Sequence, residues 1–436
     1  SAASDVYKRQ INYIILILIA IPVLVQLLYV VFAWVKKKQY PKSEKKGRIA
    51  YIIPAHNEAS VIFNTVKDLM ENQEYPKELY DVYVIADNCT DDTAALAEAA
   101  GARVLVHNDE NPEHHMAAYP VQFAVDYLMR LEEEPYDFIL RIDADNHVNK
   151  EFSSLMNDAF QSGVDLARSY EGSINATQNF YTKACSLFYI FDSRYGSRVR
   201  ERIGIAAHIN GSGSMMSMKM LKECGGFDAL SISEDAEFNF NRMLEGYKGH
   251  YVEDAVCYED MPSSFRDTLN RNRRIGSGSM KLLKTKLLKM LGKFFTTGNL
   301  SYVEMFLTYI FNFLTVILCT WIPLFYIYNF LFLYYAGYGY LPLTMFDASF
   351  YYHLFWNTIY IGGAIVLGLF VFFGIIQGVI LVLIEYKKMG AKNRRELLSA
   401  ALLFPVFLVL YAVTLGIGAL SKPKWNKVCR SNERKK

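Results

Sequence analysis

Apolar residues are distributed along the chain in two regimes. Four long runs, Ile11–Val35, Tyr302–Tyr335, Leu354–Leu383 and Leu397–Leu420, are each long enough to cross a bilayer as a helix. Between the first and the second lie about 260 residues of ordinary globular composition, enough for one α/β domain with a core of its own. Within that stretch, short apolar runs alternate with helical spacing. Arg48–Pro54 is a brief apolar run closed by proline, a buried-strand pattern, and Val61, Val66, Leu69 and Met70 give Asn57–Asn72 a helical face. Asp81–Ala86 reads as a second strand, Asp91–Ala100 as an alanine-rich helix capped by Thr90 or Asp91, and Arg103–Val106 as a third strand. Val121–Leu131 has helical spacing, and Phe138–Ile142 is another buried strand. The alternation predicts a parallel sheet. Its acids gather at the carboxyl ends of strands, the edge at which open α/β sheets bind ligands.

Composition narrows the class. With 436 residues, 52% hydrophobic and 21% charged, the chain is neither an ordinary soluble enzyme nor helices alone, and disordered, collagen-like and disulfide-scaffold classes are excluded. Cys89, Cys185, Cys224, Cys257, Cys319 and Cys429 form no CxxC pair, which argues against a zinc ribbon or redox motif and fits a reduced compartment. Lys36, Lys37 and Lys38 follow the first apolar run, so the positive-inside rule places the globular part in the cytoplasm. That run is too long for a cleaved signal and no small-residue cleavage site follows it, so it reads as a retained anchor.

The expected organisation is a non-native leader at 1–10, an anchor at 11–35, a globular domain at 45–262, a basic amphipathic segment at 263–300, an apolar region of about three segments at 302–420, and a basic tail at 421–436. Lys281–Phe294 alternates leucine pairs with lysine, the pattern of a helix lying on an anionic membrane face. Alternation of spans places the tail outside, whereas its basic charge wants the cytoplasm. Either the tail is outside after four spans, the favoured arrangement, or Leu397–Leu420, interrupted by Pro405, is a re-entrant or interfacial segment; the tail stays unassigned.

Several residues have chemistry to offer. Asp143 and Asp145, spaced i, i+2 at a strand end, point both carboxylates to one side if the extended conformation persists. A divalent metal would relieve their repulsion; a solvated acidic turn is the alternative. Asp87 closes the second strand and could accept an N–H from a nucleobase edge, or cap the next helix. Asn57 and Glu58 stand at the first strand-to-helix crossing, where backbone amides could approach a nucleotide. Glu234 and Asp235 open a helix, where they either complement its dipole or supply a general base. His56, His114, His115, His208 and His250 have no ligand spacing, and His208 precedes the flexible NGSGS.

Taken in order, PAHNE, ADNCTDDT, RIDADN, NGSGS, GGFD and SEDAEF, with an anchor before and spans after, resemble the membrane-bound family 2 glycosyltransferases over about Arg48 to Gly278. This inverting group includes cellulose-synthase-like, hyaluronan-synthase-like and ceramide-glucosyltransferase-like enzymes. The resemblance implies a GT-A catalytic domain, the Rossmann-like α/β fold of nucleotide-diphospho-sugar transferases, joined to transmembrane α-helices. It further implies that Asp87 contacts the base, that Asp143 and Asp145 hold the diphosphate and its Mg²⁺ or Mn²⁺, and that Asp235 deprotonates the acceptor with Glu234 beside it. Two departures stand out. Where relatives carry QxxRW, this chain has NRNRRIGSG at Asn270–Gly278, with Arg271 in place of Gln, Arg274 standing for Arg and Ile275 for Trp. The basic, glycine-containing stretch common after the third strand is replaced by His107–Pro120.

The expected partners are a nucleotide-sugar donor, with UDP favoured by the resemblance, a lipid or carbohydrate acceptor, and the membrane, but no nucleic acid. The expected localisation is a bacterial-type plasma membrane. A processive polysaccharide synthase that exports its product is the alternative enzyme. A transporter or scaffold with an inert domain is the alternative class, disfavoured by the scarcity of ionisable groups in the apolar runs.

Overall fold

The computed structural model describes residues 20–21, 23–132, 135–310 and 363–421, with isolated positions 324, 327, 331 and 360. The leader, the start of the anchor, most of the second apolar run, the aromatic stretch 336–352 and residues 422–436 lie outside the described residues. Apolar helix α1 (Val23–Phe32) precedes the globular domain. The domain begins with β1 (Ile49–Ala55), α2 (Ile62–Asn72), β2 (Tyr80–Asp87), α3 (Thr93–Ala99), β3 (Arg103–His107), α4 (Ala118–Met129) and β4 (Phe138–Arg141). There follow β5 (His147–Val148), α5 (Phe152–Gln161), β6 (Leu166–Ser173), α6 (Phe180–Asp192), α7 (Arg198–Ile203), β7 (Ser214–Ser217), α8 (Met218–Cys224), α9 (Glu234–Leu244) and β8 (Gly249–Glu259).

Among the described residues these strands form one eight-stranded sheet in the order β3-β2-β1-β4-β7-β6-β8-β5. The first half is parallel, as the alternation predicts, with Asp87 opposite His107 at the β2–β3 end. The second half is not. β7 runs antiparallel to both β4 and β6, and β5 runs antiparallel to β8, so the sheet is mixed. The chain winds outward through β2 and β3 and returns to β4 on the other side of β1, which makes a switch point there. The turns after β1, β2 and β4 therefore open on one edge. Apolar side chains fill both faces: Ile53, Val66, Leu140 and Phe152 on one, Ile52, Ile85, Val125 and Met216 on the other.

Beyond the sheet come α10 (Phe265–Thr285), α11 (Leu287–Thr297), α12 (Leu300–Ile310), α13 (Leu367–Glu385) and α14 (Arg395–Ala419). The α13 and α14 helices are long and apolar enough to cross a membrane by length and composition. Outward-facing Leu402, Leu403, Val406 and Ile417 leave an apolar stripe on α14, which runs uninterrupted through Pro405 instead of breaking there. A third cluster joins these helices to the domain, with Leu187 and Val199 packed among Leu381, Phe404 and Phe407.

The expected single amphipathic helix over 281–294 is two helices meeting at Lys286. Past Lys286, α11 turns large apolar groups outward, with Leu288 and Phe295 each 77% exposed. The α10 helix instead packs on its glycines. Its Gly276 lies against the Leu415 carbonyl of α14, and Gly418 of α14 lies so close to α10 that an added Cβ would stand 2.6 Å from the Arg273 carbonyl oxygen. Asn272 donates to Thr414 Oγ1 at 2.8 Å within the same crossing. Gly418→Val should therefore force the helices apart and cost about 1–3 kcal/mol, as overpacking does. Earlier thermal unfolding and faster proteolysis in α10 are expected, against an unchanged control at exposed Leu402→Val.

Candidate active site

β4 delivers Arg141 to the sheet edge, and the chain turns immediately afterwards. Asn146 N–H donates to the Asp143 carbonyl at 3.0 Å, so Asp143–Asn146 is a turn between β4 and β5. The extended conformation expected for Asp143 and Asp145 does not persist, because β4 ends before them. Ser212 pins this turn from the NGSGS segment: its Oγ accepts from Asp143 N at 3.0 Å and from Asn146 Nδ2 at 2.7 Å.

The ED pair approaches from α9. Glu234 accepts from the buried Arg141 guanidinium at 2.6 Å, and Asp235 sits on the first turn of the helix, where its Oδ1 accepts from Ala236 N at 2.7 Å. Burial, Asp145, Glu259 and Glu234 together push Asp143 up to about 7, with Arg141 opposing them. Burial and the neighbouring Glu234 likewise push Asp235 up to about 6, against Arg141 and the Ala236 and Gly211 amides. These five acids thus share one electrostatic neighbourhood in which negative charge exceeds its compensation.

α10 closes the site from the other side. Gly278 packs against Ser233, immediately before the ED pair, in a contact that leaves no room for a Cβ. One turn earlier, burial and the nearby Arg271 guanidinium hold Arg274 below the usual arginine range, while Glu234, Asp143 and Asp235 pull the other way. Arg271 itself pairs with Glu259 at the end of β8 at 3.3 Å and lies over the Tyr189 ring.

A second group of residues lines the β1–β2–β3 edge. Asn57 has a left-handed backbone, φ 54°, and its Oδ1 accepts from Thr90 N at 2.8 Å, while Glu58 N donates to Thr93 Oγ1 at 2.7 Å. These bonds tie the β1–α2 crossing to the β2–α3 crossing. Asp87 is buried at the end of β2, where His107 Nδ1 meets its Oδ1 at 2.7 Å. His208, by contrast, bonds to Glu304 at 3.1 Å.

Residues 138–341 match the model of the Glycosyl transferase family group 2, a span that includes the acidic turn, the ED pair and α10. Over that span the chain is similar to the family 2 glycosyltransferases. Similar curated proteins include the probable glycosyltransferase YdaM of Bacillus subtilis strain 168, 25% identical over 57% of this chain and 58% of that protein. Another is the beta-monoglucosyldiacylglycerol synthase of Nostoc sp., 29% identical over 50% of this chain and 45% of that one. The chain thus matches about half the length of the curated relatives. The mannosyltransferase PcManGT from Pyrobaculum calidifontis, solved with GDP-Man and Mn²⁺, aligns over 94% of this chain and 98% of that one at 13% identity with a TM-score of 0.49.

The fold brings Asp143, Asp145, Glu234, Asp235 and Arg274 into one neighbourhood and sets Asn57, Glu58 and Asp87 along the adjoining edge. Sequence reasoning did not single out Arg141, Ser212, His107 or Glu259. Arg141 carried a faint signal, since an arginine inside a buried strand demands a carboxylate partner; the other three are defined by contacts distant in sequence.

Removing either acid of the ED pair has opposite expected effects on stability. Glu234→Gln leaves the Arg141 guanidinium without its carboxylate and should destabilise the domain by about 1–3 kcal/mol. Asp235→Asn removes a carboxylate whose charged form the fold disfavours, so its unfolding midpoint should match or exceed that of the parent. Paired melts of the two variants check this.

Proposed function

We propose that the protein is an inverting hexosyltransferase, moving a sugar from a nucleotide-sugar donor to a hydroxyl of a lipid-linked or polysaccharide acceptor, from a cytoplasmic domain embedded by apolar helices. The observation that carries this is the position of Asp235: a carboxylate with a raised proton affinity, next to an acidic turn suited to a diphosphate and its cation. Asp235 takes the acceptor proton as the hydroxyl attacks the anomeric carbon, and Glu234, bonded to Arg141, holds the helix end in place. Arg274 faces the same space and provides positive charge toward the leaving diphosphate. Asn57 and Glu58 stand beside the nucleoside, and Asp87 meets its base.

Asp143 and Asp145 suit Mg²⁺ or Mn²⁺ as a donor set. Both are hard oxygen ligands on one turn, in a neighbourhood of surplus negative charge, and no group of three or more potential ligands occurs among the described residues. Two carboxylates with donor phosphates completing the shell are the usual arrangement for such a cation. Once bound, it would neutralise charge developing on the leaving nucleoside diphosphate. A lipid-linked acceptor is favoured by the α10–α14 crossing, which sets Arg274 within one helical turn of an apolar helix.

Asp235→Asn keeps the shape but cannot accept a proton, so turnover should fall by roughly 10²–10⁴-fold with donor binding barely changed. In the parent, turnover should rise as the pH passes about 6 and then level off, because only deprotonated Asp235 can act, and this limb should be missing from the variant's residual rate. Near-normal turnover of Asp235→Asn would overturn the assignment. Asp145→Ala should abolish the divalent-dependent part of donor binding, read by titration with and without EDTA. Donor affinity indifferent to both the substitution and the chelator would sink the metal role.

A further inference from the structure

We propose that the Asp87–His107 pair selects the base of the donor, admitting uracil and rejecting guanine, with His107 as the determinant. The inference rests on the reading of this edge as a nucleotide site and deepens it. A lone carboxylate at the end of β2 could accept from either base. Here the carboxylate is already half used. Asp87 Oδ1 receives His107 Nδ1 at 2.7 Å and Asn88 Nδ2 at 3.1 Å, which occupies both of its lone pairs. No donor among the described residues reaches Oδ2.

The pair is built into the sheet. Asp87 and His107 face each other in the β2–β3 register, and the His107 carbonyl accepts from Asn88 N at 2.8 Å. Asn88, held at φ 47°, in turn accepts from Asp109 N at 2.9 Å through its Oδ1. The imidazole packs against Phe123 with ring centroids 5.0 Å apart. His107 therefore cannot swing away to free Oδ1 without disturbing the end of β3 and the loop after it.

What remains is an acceptor of one N–H. Uracil offers a single imide N–H between two carbonyls and is satisfied by one oxygen. Guanine offers two adjacent donors, N1–H and the N2 amino group, which match a carboxylate with both oxygens open. Against Asp87 one of those donors would be left unpaired, and an unpaired donor at a closed site is costly. Cytosine and adenine present a ring-nitrogen lone pair at the equivalent position, which the carboxylate repels. Discrimination of this kind, from hydrogen bonds a wrong ligand cannot make, is stronger than any that pocket shape alone provides.

The test is competition binding of UDP, GDP, CDP and ADP to the full chain in detergent with Mg²⁺, for the parent, His107→Phe and His107→Asn. The parent should hold UDP at least about tenfold more tightly than GDP. His107→Phe keeps the packing on Phe123 but removes the donor, and the UDP:GDP ratio should shrink to within about threefold, mainly through tighter GDP. His107→Asn keeps a donor and should keep most of the ratio; a merely structural role would weaken all four ligands together. Comparable GDP and UDP binding by the parent, or an unchanged ratio in His107→Phe, overturns the inference while leaving the nucleotide site standing. If His107→Phe does not fold, the ratio in the parent and in His107→Asn decides. Failure of the parent to bind any of the four overturns the nucleotide-site reading and the inference with it.

Discussion

A guanidinium buried at the end of β4 decides how the acidic residues can stand together. Two like charges about 4 Å apart repel by roughly 4 kcal/mol at an effective dielectric near 20, so an ED pair and an acidic turn cannot share a closed space unaided. Arg141 supplies the compensation. It bonds Glu234 directly and opposes the rise in proton affinity of both Asp143 and Asp235. Gly211 passes close over it, with room for a Cβ only 3.2 Å from Nη2, so the NGSGS segment, β4 and the start of α9 converge on one cation. Its compensation is incomplete, and residual negative charge is left on the acidic turn and the ED pair.

Much of this was legible in the sequence, for reasons of locality. Strands β1, β2 and β4 are short apolar runs, and helices follow β1 and β2 within a few residues, so their order and the edge on which Asp87 and Asp143 emerge could be read off directly. The mixed half could not. β7 has four residues, Ser214–Ser217, and earns its place only by pairing with β4 and β6. The turn at Asp143 escaped for a related reason: Ser212, which holds it, is distant in the chain. In α10 the segment with its glycines and arginines looked like a departure from a motif, and two of those glycines meet surfaces distant in the chain, Gly278 against Ser233 and Gly276 against α14.

Polar contacts also link the domain to its apolar helices. Glu304 of α12 accepts from Arg200 Nε at 2.8 Å, from His208 at 3.1 Å and from Tyr29 of α1 at 3.2 Å. Arg194 pairs with Glu385 at the end of α13 at 2.5 Å, and Lys38, just past α1, with Glu201. Such pairs add little to stability when buried, but they have one register in which every partner is met. Apolar packing between Leu187, Phe404 and Phe407 could slide by a turn; these bonds could not.

The crossing of α10 over α14 has a geometric consequence. Where helices meet through side chains, rotamer changes let one ride over the other. Where they meet backbone to backbone, at Gly276 and Gly418, nothing soft lies between them. Arg274 and Ser233 are therefore carried at a set height along the axis of α14, like a tool clamped to a post. Under the proposed reaction, an acceptor would have to bring its hydroxyl to that height, and the length of its headgroup or of its outermost sugars would then become a criterion of selection that no pocket residue needs to enforce.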